Sequence, residues 1–207
     1  MKVLLINGSP HEKGCTYTAL SLIAQELNAA GIQTQILHVG GQPVGGCIGC
    51  GGCRKTGEGC VFGGVVNEAI ELAKTADGFV FGSPVHYASA AGNMAAFMDR
   101  LAYAGGKYLA YKPAALCCSA RRAGTTSTLD QLVKYPQFFH MPLVNGSYWA
   151  MVHGSAPDQV LQDAEGCAVM QELGRNMAWL LQCIQAGKAA GISHPENPPR
   201  PMTNFIR

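Results

Sequence analysis

Lys2-Val-Leu-Leu-Ile-Asn-Gly-Ser-Pro10 is a short apolar run closed by a turn. An unbroken run of this length fits a strand buried on both faces, as in a parallel sheet; a strand with one wet face would alternate. A helix follows, with Leu20, Ile23, Ala24 and Leu27 at i, i+3, i+4 and i+7 and Gly31 where a helix C-terminal glycine belongs. Thr34 to Val39 reads as the next strand. Strand, turn, helix and strand make one βα unit, and this unit sets the period for the remainder of the chain.

The unit recurs. A helix is predicted near Val65 to Thr75, a strand over Gly78 to Gly82, a Ser83-Pro84 turn, a helix over Gly92 to Tyr103 and a strand over Ala114 to Ser119. A glycine turn at Gly124 and a helix over Thr126 to Tyr135 come next, with a fifth strand expected within Met141 to Tyr148. Met170, Leu173, Met177, Leu181 and Ile184 give a long closing helix its core stripe. The fold class is therefore α/β: a doubly wound five-stranded parallel sheet of order 2-1-3-4-5, whose ligand sits beyond the carboxyl ends of the strands at the switch point. One domain is expected over residues 1–192, followed by an extended, proline-rich arm over 193–207.

Of the 207 residues, 48% are apolar and 14% charged. An ordinary soluble domain is roughly 25% charged, so much of this chain is expected to be covered by core or by other subunits, as in a homodimer or homotetramer. The net charge of +2 comes without a run of Lys or Arg, which argues against nucleic acid and against a basic membrane patch. Val3 to Ile6 is too short for a signal-peptide core, and no long apolar stretch follows. A cytoplasmic protein is expected. In that reducing compartment nine cysteines point to metal, cluster or redox chemistry instead of disulfides.

Three loops fall at strand ends. In Gly8-Ser-Pro-His-Glu-Lys-Gly-Cys-Thr16, backbone N–H groups and the hydroxyls of Ser9, Thr16 and Thr18 are placed to surround a phosphate at the positive end of the helix. Lys13-Gly14 reverses the Gly-Lys order of a Walker loop, Cys15 stands where Ser or Thr would bind magnesium, and no G-x-G-x-x-G follows the strand. Nucleoside triphosphate hydrolysis and a Rossmann dehydrogenase are both disfavoured; an ordinary strand-to-helix turn is the plain alternative. Ser83-Pro84-Val85-His86-Tyr87 joins a stiff proline to aromatic rings, a wall for a flat heterocycle, while His86 also reads as an exposed loop histidine. In Ser119-Ala-Arg-Arg-Ala-Gly-Thr-Thr126, amides and hydroxyls suit a ligand's polar edge, and Arg121 and Arg122 suit a phosphate or are solvated turn residues. Tyr148 and Trp149 read as core or interface, or as a cap from a neighbouring subunit.

The segment from Gly40 to Gly64 shows no periodicity, and an irregular loop of this length in a small domain is usually functional. Within it Cys47, Cys50, Cys53 and Cys60 have the spacing C-x2-C-x2-C-x6-C, and the intervening glycines let the backbone curl so that thiolates converge. Four thiolates are what a 4Fe-4S cluster needs. Structural zinc, which takes two separated pairs, fits less well; four reduced thiols in a substrate-side or subunit-contact loop are the remaining alternative. Cys117, Cys118, Cys167 and Cys183 read as small buried residues.

The first loop, Cys47-Ile-Gly-Cys-Gly-Gly-Cys53, Ser83-Pro-Val-His-Tyr-Ala-Ser89 and Ala96-Phe-Met-Asp-Arg100 resemble, in the same order, motifs of NADPH-dependent FMN reductases and iron-sulfur flavoproteins. The resemblance implies a flavodoxin-like fold and bound FMN. Ser9, His11, Cys15, Thr16 and Thr18 would serve the phosphate; Pro84, Val85, His86 and Tyr87 the ring; and Ser119, Ala120, Arg121, Arg122 and Gly124 the polar edge, the arginines also being candidates for NADPH contact. It further implies Cys47, Cys50, Cys53 and Cys60 as ligands of an iron-sulfur cluster. Three departures stand out: His11 replaces the usual Arg, Cys15 the usual Asn, and Gly63-Gly64 lies where acidic residues are usual. The expected activity is NAD(P)H-dependent reduction of FMN, with electrons passed to a small acceptor such as free flavin or quinone. The cofactor carries this chemistry, so no catalytic acid or nucleophile is assigned. The alternative is an iron-sulfur flavoprotein or flavodoxin-like carrier receiving electrons from ferredoxin.

Overall fold

The computed structural model describes residues 1–199 and 201–205. β1 (Lys2–Asn7) is buried from Val3 onward, as its unbroken apolar run requires. It pairs in parallel with β2 (Gln33–His38) on one side and with β3 (Gly78–His86) on the other. At its carboxyl end β3 turns back into a two-residue antiparallel strand, β4 (Ser89–Ala90). The far side of β3 pairs in parallel with β5 (Ala114–Ala120), which in turn takes β6 (Met151–His153) at the edge. The order β2-β1-β3-β5-β6 is the doubly wound order expected from the sequence, with the hairpin strand β4 as the one addition.

Helices cover both faces: α1 (Cys15–Ala29), α2 (Gly52–Thr56), α3 (Val65–Thr75), α4 (Gly92–Gly105), α5 (Thr125–Leu132), α6 (Lys134–Phe138), α7 (Pro157–Val160) and α8 (Ala164–Ala189). Successive strand residues point to opposite faces. Val3, Leu5, Val80 and Ala115 therefore pack with Leu20, Ile23 and Leu27 of α1 and Met170, Leu173 and Met177 of α8. Leu4, Ile6, Phe79, Phe81 and Leu116 pack with α3, α4 and α5. The end of α1 is fixed by Gly31, which adopts a φ of 76°. Its N–H donates to the Asn28 carbonyl at 2.9 Å, and Ile32 N–H donates to Leu27 at 3.0 Å, satisfying carbonyls the helix leaves open.

The fifth strand is not where the sequence placed it. From Met141 to Tyr148 the chain makes only a single bridge, Leu143 opposite Ala114, because Pro142 has no N–H to donate and Asn145-Gly146-Ser147 is turn chemistry. The excursion is pinned outward. Glu172 accepts both the Ser147 N–H and hydroxyl at 2.7 Å, and Asn176 donates to the Asn145 carbonyl at 2.8 Å. Pairing resumes where Cys118 N–H donates to Ala150. The excursion leaves a cavity of about 370 Å³ at the sheet edge, lined in part by Leu116, Leu129, Val133, Tyr148 and Trp149.

Two smaller differences follow from local chemistry. The Gly40 to Gly64 segment, expected to be irregular throughout, contains the single helical turn α2. Cys167 and Cys183, both expected to be buried, are half-buried and exposed respectively; Cys183 lies two residues beyond the buried Leu181 and faces away from it. Among the described residues no helix is long and apolar enough to cross a membrane.

Candidate functional site

The carboxyl ends of β1, β3 and β5 bring the three sequence-predicted loops to one edge of the sheet. Gly8 N–H donates to the Gly82 carbonyl at 2.9 Å, tying the first loop to β3. Inside that loop Asn7 Oδ1 accepts Ser9 N–H at 3.1 Å, Asn7 Nδ2 donates to Glu12 at 2.9 Å, and Ser9 Oγ accepts His11 N–H at 3.1 Å. From outside, His38 Nε2 donates to the Ser9 carbonyl at 2.8 Å. Gly40 packs so tightly that a Cβ there would run into the same carbonyl.

These bonds shape the loop and leave its amides open. The N-cap of α1 is Gly14, which offers no side chain, and no acidic residue occupies the first turn. Among the described residues the N–H groups of Glu12, Lys13, Thr16 and Tyr17 have no hydrogen-bond partner. Open amides at a helix N-terminus are an anion cradle. The hydroxyls predicted to meet a phosphate have internal roles: Thr18 Oγ1 donates to the Gly14 carbonyl at 3.2 Å, and Thr16 Oγ1 shares a 2.8 Å bond with Ser119 Oγ, both residues being buried. Cys15 Sγ lies 3.5 Å from the Gly154 carbonyl, and burial pushes its thiol up from the usual range.

The second loop is the hairpin between β3 and β4. Its two turn residues, Tyr87 and Ala88, have φ values of 49° and 59°. Left-handed backbone costs about 1–2 kcal/mol per L residue, and a two-residue hairpin of this type normally uses Asn and Gly. The surroundings hold it in place. Ser127 Oγ donates to the Ala88 carbonyl at 2.6 Å, and a Cβ on Gly124 would sit 2.6 Å from Ala88 Cα. Pro84 and Val85 are half-buried, while His86 and Tyr87 are exposed. In the third loop Ser119 and Ala120 are buried, and Arg121 and Arg122 are exposed. Ser9, Thr16, Ser119 and the hairpin base thus form the floor of this edge, and His11, His86, Tyr87, Arg121 and Arg122 stand on its rim.

The four cysteines form a second site on the flank of α4. Cys47, Cys50, Cys53 and Cys60 all line one cavity of about 290 Å³, together with Phe62, Arg100 and Tyr103. Gly49 and Gly51, with φ values of 64° and 68°, curl the chain between the first three. Cys60 is held at its backbone by Asn67 of α3, whose amide accepts from Cys60 N–H at 2.8 Å and donates to its carbonyl at 3.0 Å. Cys53 Sγ–H donates to the Tyr103 carbonyl at 3.7 Å. Asn93 clasps the start of the segment, donating to Gly40 and Gln42 and accepting from Val44 N–H.

Among the described residues no three His, Cys, Asp or Glu side chains converge closely enough to hold a single metal ion. An all-thiol set around one cavity is the donor chemistry of an iron-sulfur cluster, whose ligands attach at separate corners. Sequence reasoning assigned no role to Asn7, His38, Asn67 or Asn93, and treated Arg100 only as the end of a motif. Arg100 left a readable signal: it follows Phe97 by three residues, which puts a charge on the buried face of α4. Cys117 and Cys118 are of another kind, since burial drives Cys117 far above the usual range and Cys118 up to about 12, out of reach of thiolate chemistry at neutral pH.

A parallel sheet of this order, with loops gathered at the switch point between β1 and β3, defines the flavodoxin-like class of α/β proteins. A solved flavodoxin from the domain Archaea shares the architecture at a TM-score of 0.60 and 13% identity, covering 88% of this chain and 99% of that one. The chain belongs to the NADPH-dependent FMN reductase family, whose model matches residues 1–156. It is 29% identical over 197 residues to an iron-sulfur flavoprotein of Methanocaldococcus jannaschii, covering 89% of this chain and all of the relative. An iron-sulfur flavoprotein of Methanosarcina thermophila is 24% identical over 191 residues, covering 91% of this chain and 99% of the relative. The family defines an FMN flavoprotein of the oxidoreductase class.

Proposed function

We propose that this protein is an electron-transfer flavoprotein with two redox sites, FMN at the carboxyl edge of the sheet and a 4Fe-4S cluster in the cavity lined by Cys47, Cys50, Cys53 and Cys60. The observation that carries the reading is that four cysteines from one irregular segment line a single cavity beside a buried arginine. Bound FMN exchanges electrons singly or in pairs and a bound cluster exchanges them one at a time, so together they join two-electron to one-electron chemistry.

The chain's own part is to hold and surround. The open amides at the start of α1 receive the FMN phosphate, with His11 at the rim in place of an arginine. Pro84, Val85 and the strained Tyr87-Ala88 turn set a wall against the ring, and Ser119 to Gly124 lie along its polar edge. Single-electron chemistry favours a protein partner such as ferredoxin. A direct NAD(P)H donor is the second reading, favoured by Arg121 and Arg122, two exposed cations beside the flavin edge suited to a nucleotide phosphate.

Anaerobic purification with FMN, iron and sulfide analysis, followed by stopped-flow mixing, tests both. Bound FMN with four irons and four sulfides per chain, and flavin bleaching by reduced ferredoxin faster than by NADPH or NADH, is the expected result. Protein that holds neither iron nor sulfide after reconstitution overturns the two-site reading. Bleaching by NADPH or NADH alone replaces the protein donor with the nicotinamide one.

A further inference from the structure

Arg100 is 6% exposed, and among the described residues no carboxylate pairs with it. Its Nε donates to Cys60 Sγ at 3.2 Å, one terminal nitrogen donates to the Gly63 carbonyl at 3.0 Å and the other to Gly45 at 3.4 Å. The guanidinium carbon lies over the Phe62 ring, 5.4 Å from its centre. A guanidinium stays charged at any ordinary pH, and a buried charge without a counter-ion is expensive. Two neutral carbonyls and a ring face solvate it in part. The cavity it faces is walled by four thiols, the one set of groups within reach that becomes anionic when it binds iron.

We infer that Arg100 is the fixed counter-charge of the four-cysteine site: it closes both ends of the cysteine segment over the cavity and stabilises the added electron when the bound group is reduced. The role rests on the two-site reading above. The same side chain has two separable duties. Its donors to Gly45 and Gly63 clasp the segment, which any well-shaped donor set supports in part. Its charge beside Cys60 acts on the anionic, thiolate-bound group, and only a cation can do that.

The test uses the full chain, reconstituted anaerobically with iron and sulfide, as wild type and as the Arg100→Gln and Arg100→Lys variants. Iron and sulfide per chain are measured first. The one-electron reduction of the cluster by a reduced dye of known potential is then followed by visible absorption and electron paramagnetic resonance. At the wild-type midpoint the ratio of reduced to oxidised cluster in Arg100→Gln is expected to fall at least tenfold, which is 59 mV for a one-electron couple, and Arg100→Lys to recover most of that loss. Loss of loading in Arg100→Gln with loading kept in Arg100→Lys also supports the counter-charge. A loaded Arg100→Gln with the wild-type midpoint overturns the role of Arg100 and leaves the cluster standing. Arg100→Lys that behaves no better than Arg100→Gln overturns the charge as the cause. Wild-type protein that takes up neither iron nor sulfide overturns the two-site reading and this role with it.

Discussion

The 2.8 Å bond between Thr16 Oγ1 and Ser119 Oγ joins the first turn of α1 to the end of β5, and so sets two of the three loops proposed to hold flavin relative to each other. Thr16 is 1% and Ser119 4% exposed, so neither hydroxyl can exchange its partner for water. Thr16→Val keeps the side-chain shape and strands the Ser119 hydroxyl; Ser119→Ala strands that of Thr16. Leaving one buried hydroxyl unpaired costs about 1–3 kcal/mol, whereas removing both partners is nearly neutral beyond the lost volume. For a chain of 207 residues each kcal/mol corresponds to about 2–4 °C in melting temperature, so each single variant should melt about 2–12 °C below wild type. The double variant should be no worse than the weaker single, a coupling of about 1 kcal/mol or more. Urea unfolding of FMN-free protein gives the free energies for the cycle, with thermal melts as a check. If the double variant loses the sum of the single losses to within about 0.5 kcal/mol, the two hydroxyls act independently and the loops are held in register by something else.

Gly40→Ala drives a Cβ into the Ser9 carbonyl and displaces the loop proposed to offer its amides to the phosphate. FMN affinity measured by quenching of flavin fluorescence should fall at least about tenfold, or about 1.4 kcal/mol, and an unchanged affinity would remove the phosphate from this loop. The carboxyl of Glu172 is held below the usual range by the Ser147 N–H and hydroxyl. Because its folded value is depressed, its grip on the edge excursion is complete above the unfolded value of about 4.3 and is lost as pH falls through the lower folded value. Trp149 fluorescence, read in a Trp179→Phe background, should change over that acid range, and Glu172→Gln should show the altered signal already at neutral pH; a flat acid titration would refute the anchor.

The sequence made the sheet legible where strands were buried on both faces, because an unbroken apolar run has few other places to go. β1 and β5 fell where their runs predicted, whereas β3 does not stop at Gly82: Ser83-Pro84, read as a turn, stays paired with Cys118 and Ser119, the strand runs on to His86, and the turn lies at Tyr87-Ala88. The edge was harder. Leu143 and Val144 have the apolar character of a strand, yet Pro142 and the Asn145-Gly146-Ser147 turn divide it, and the side chains that hold the excursion outward lie on α8, more than twenty residues away. The loops were legible as glycine and hydroxyl chemistry at strand ends, but their hydrogen bonding was not: only a structure shows that Thr16 and Ser119 are partners across 103 residues. Asn67 and Asn93 escaped for the same reason, since an asparagine on a helix gives no sign of which distant backbone it will hold.

α4 ties the two sites together. Its entry is fixed to the proposed flavin edge, where Ser83 Oγ accepts Ala91 N–H at 3.0 Å, and one face then meets the cysteine segment at Asn93, Arg100 and Tyr103. From Gly92 to Arg100 is eight residues, about 12 Å along a helix axis. A packed helix with Met94, Phe97, Met98 and Leu101 in the core does not stretch, so the separation between the sites belongs to the scaffold and not to the irregular segment. Changes in the cysteine segment should therefore alter what the cavity holds and leave its distance from the flavin edge unchanged. Changes along the buried face of α4 should disturb both sites at once.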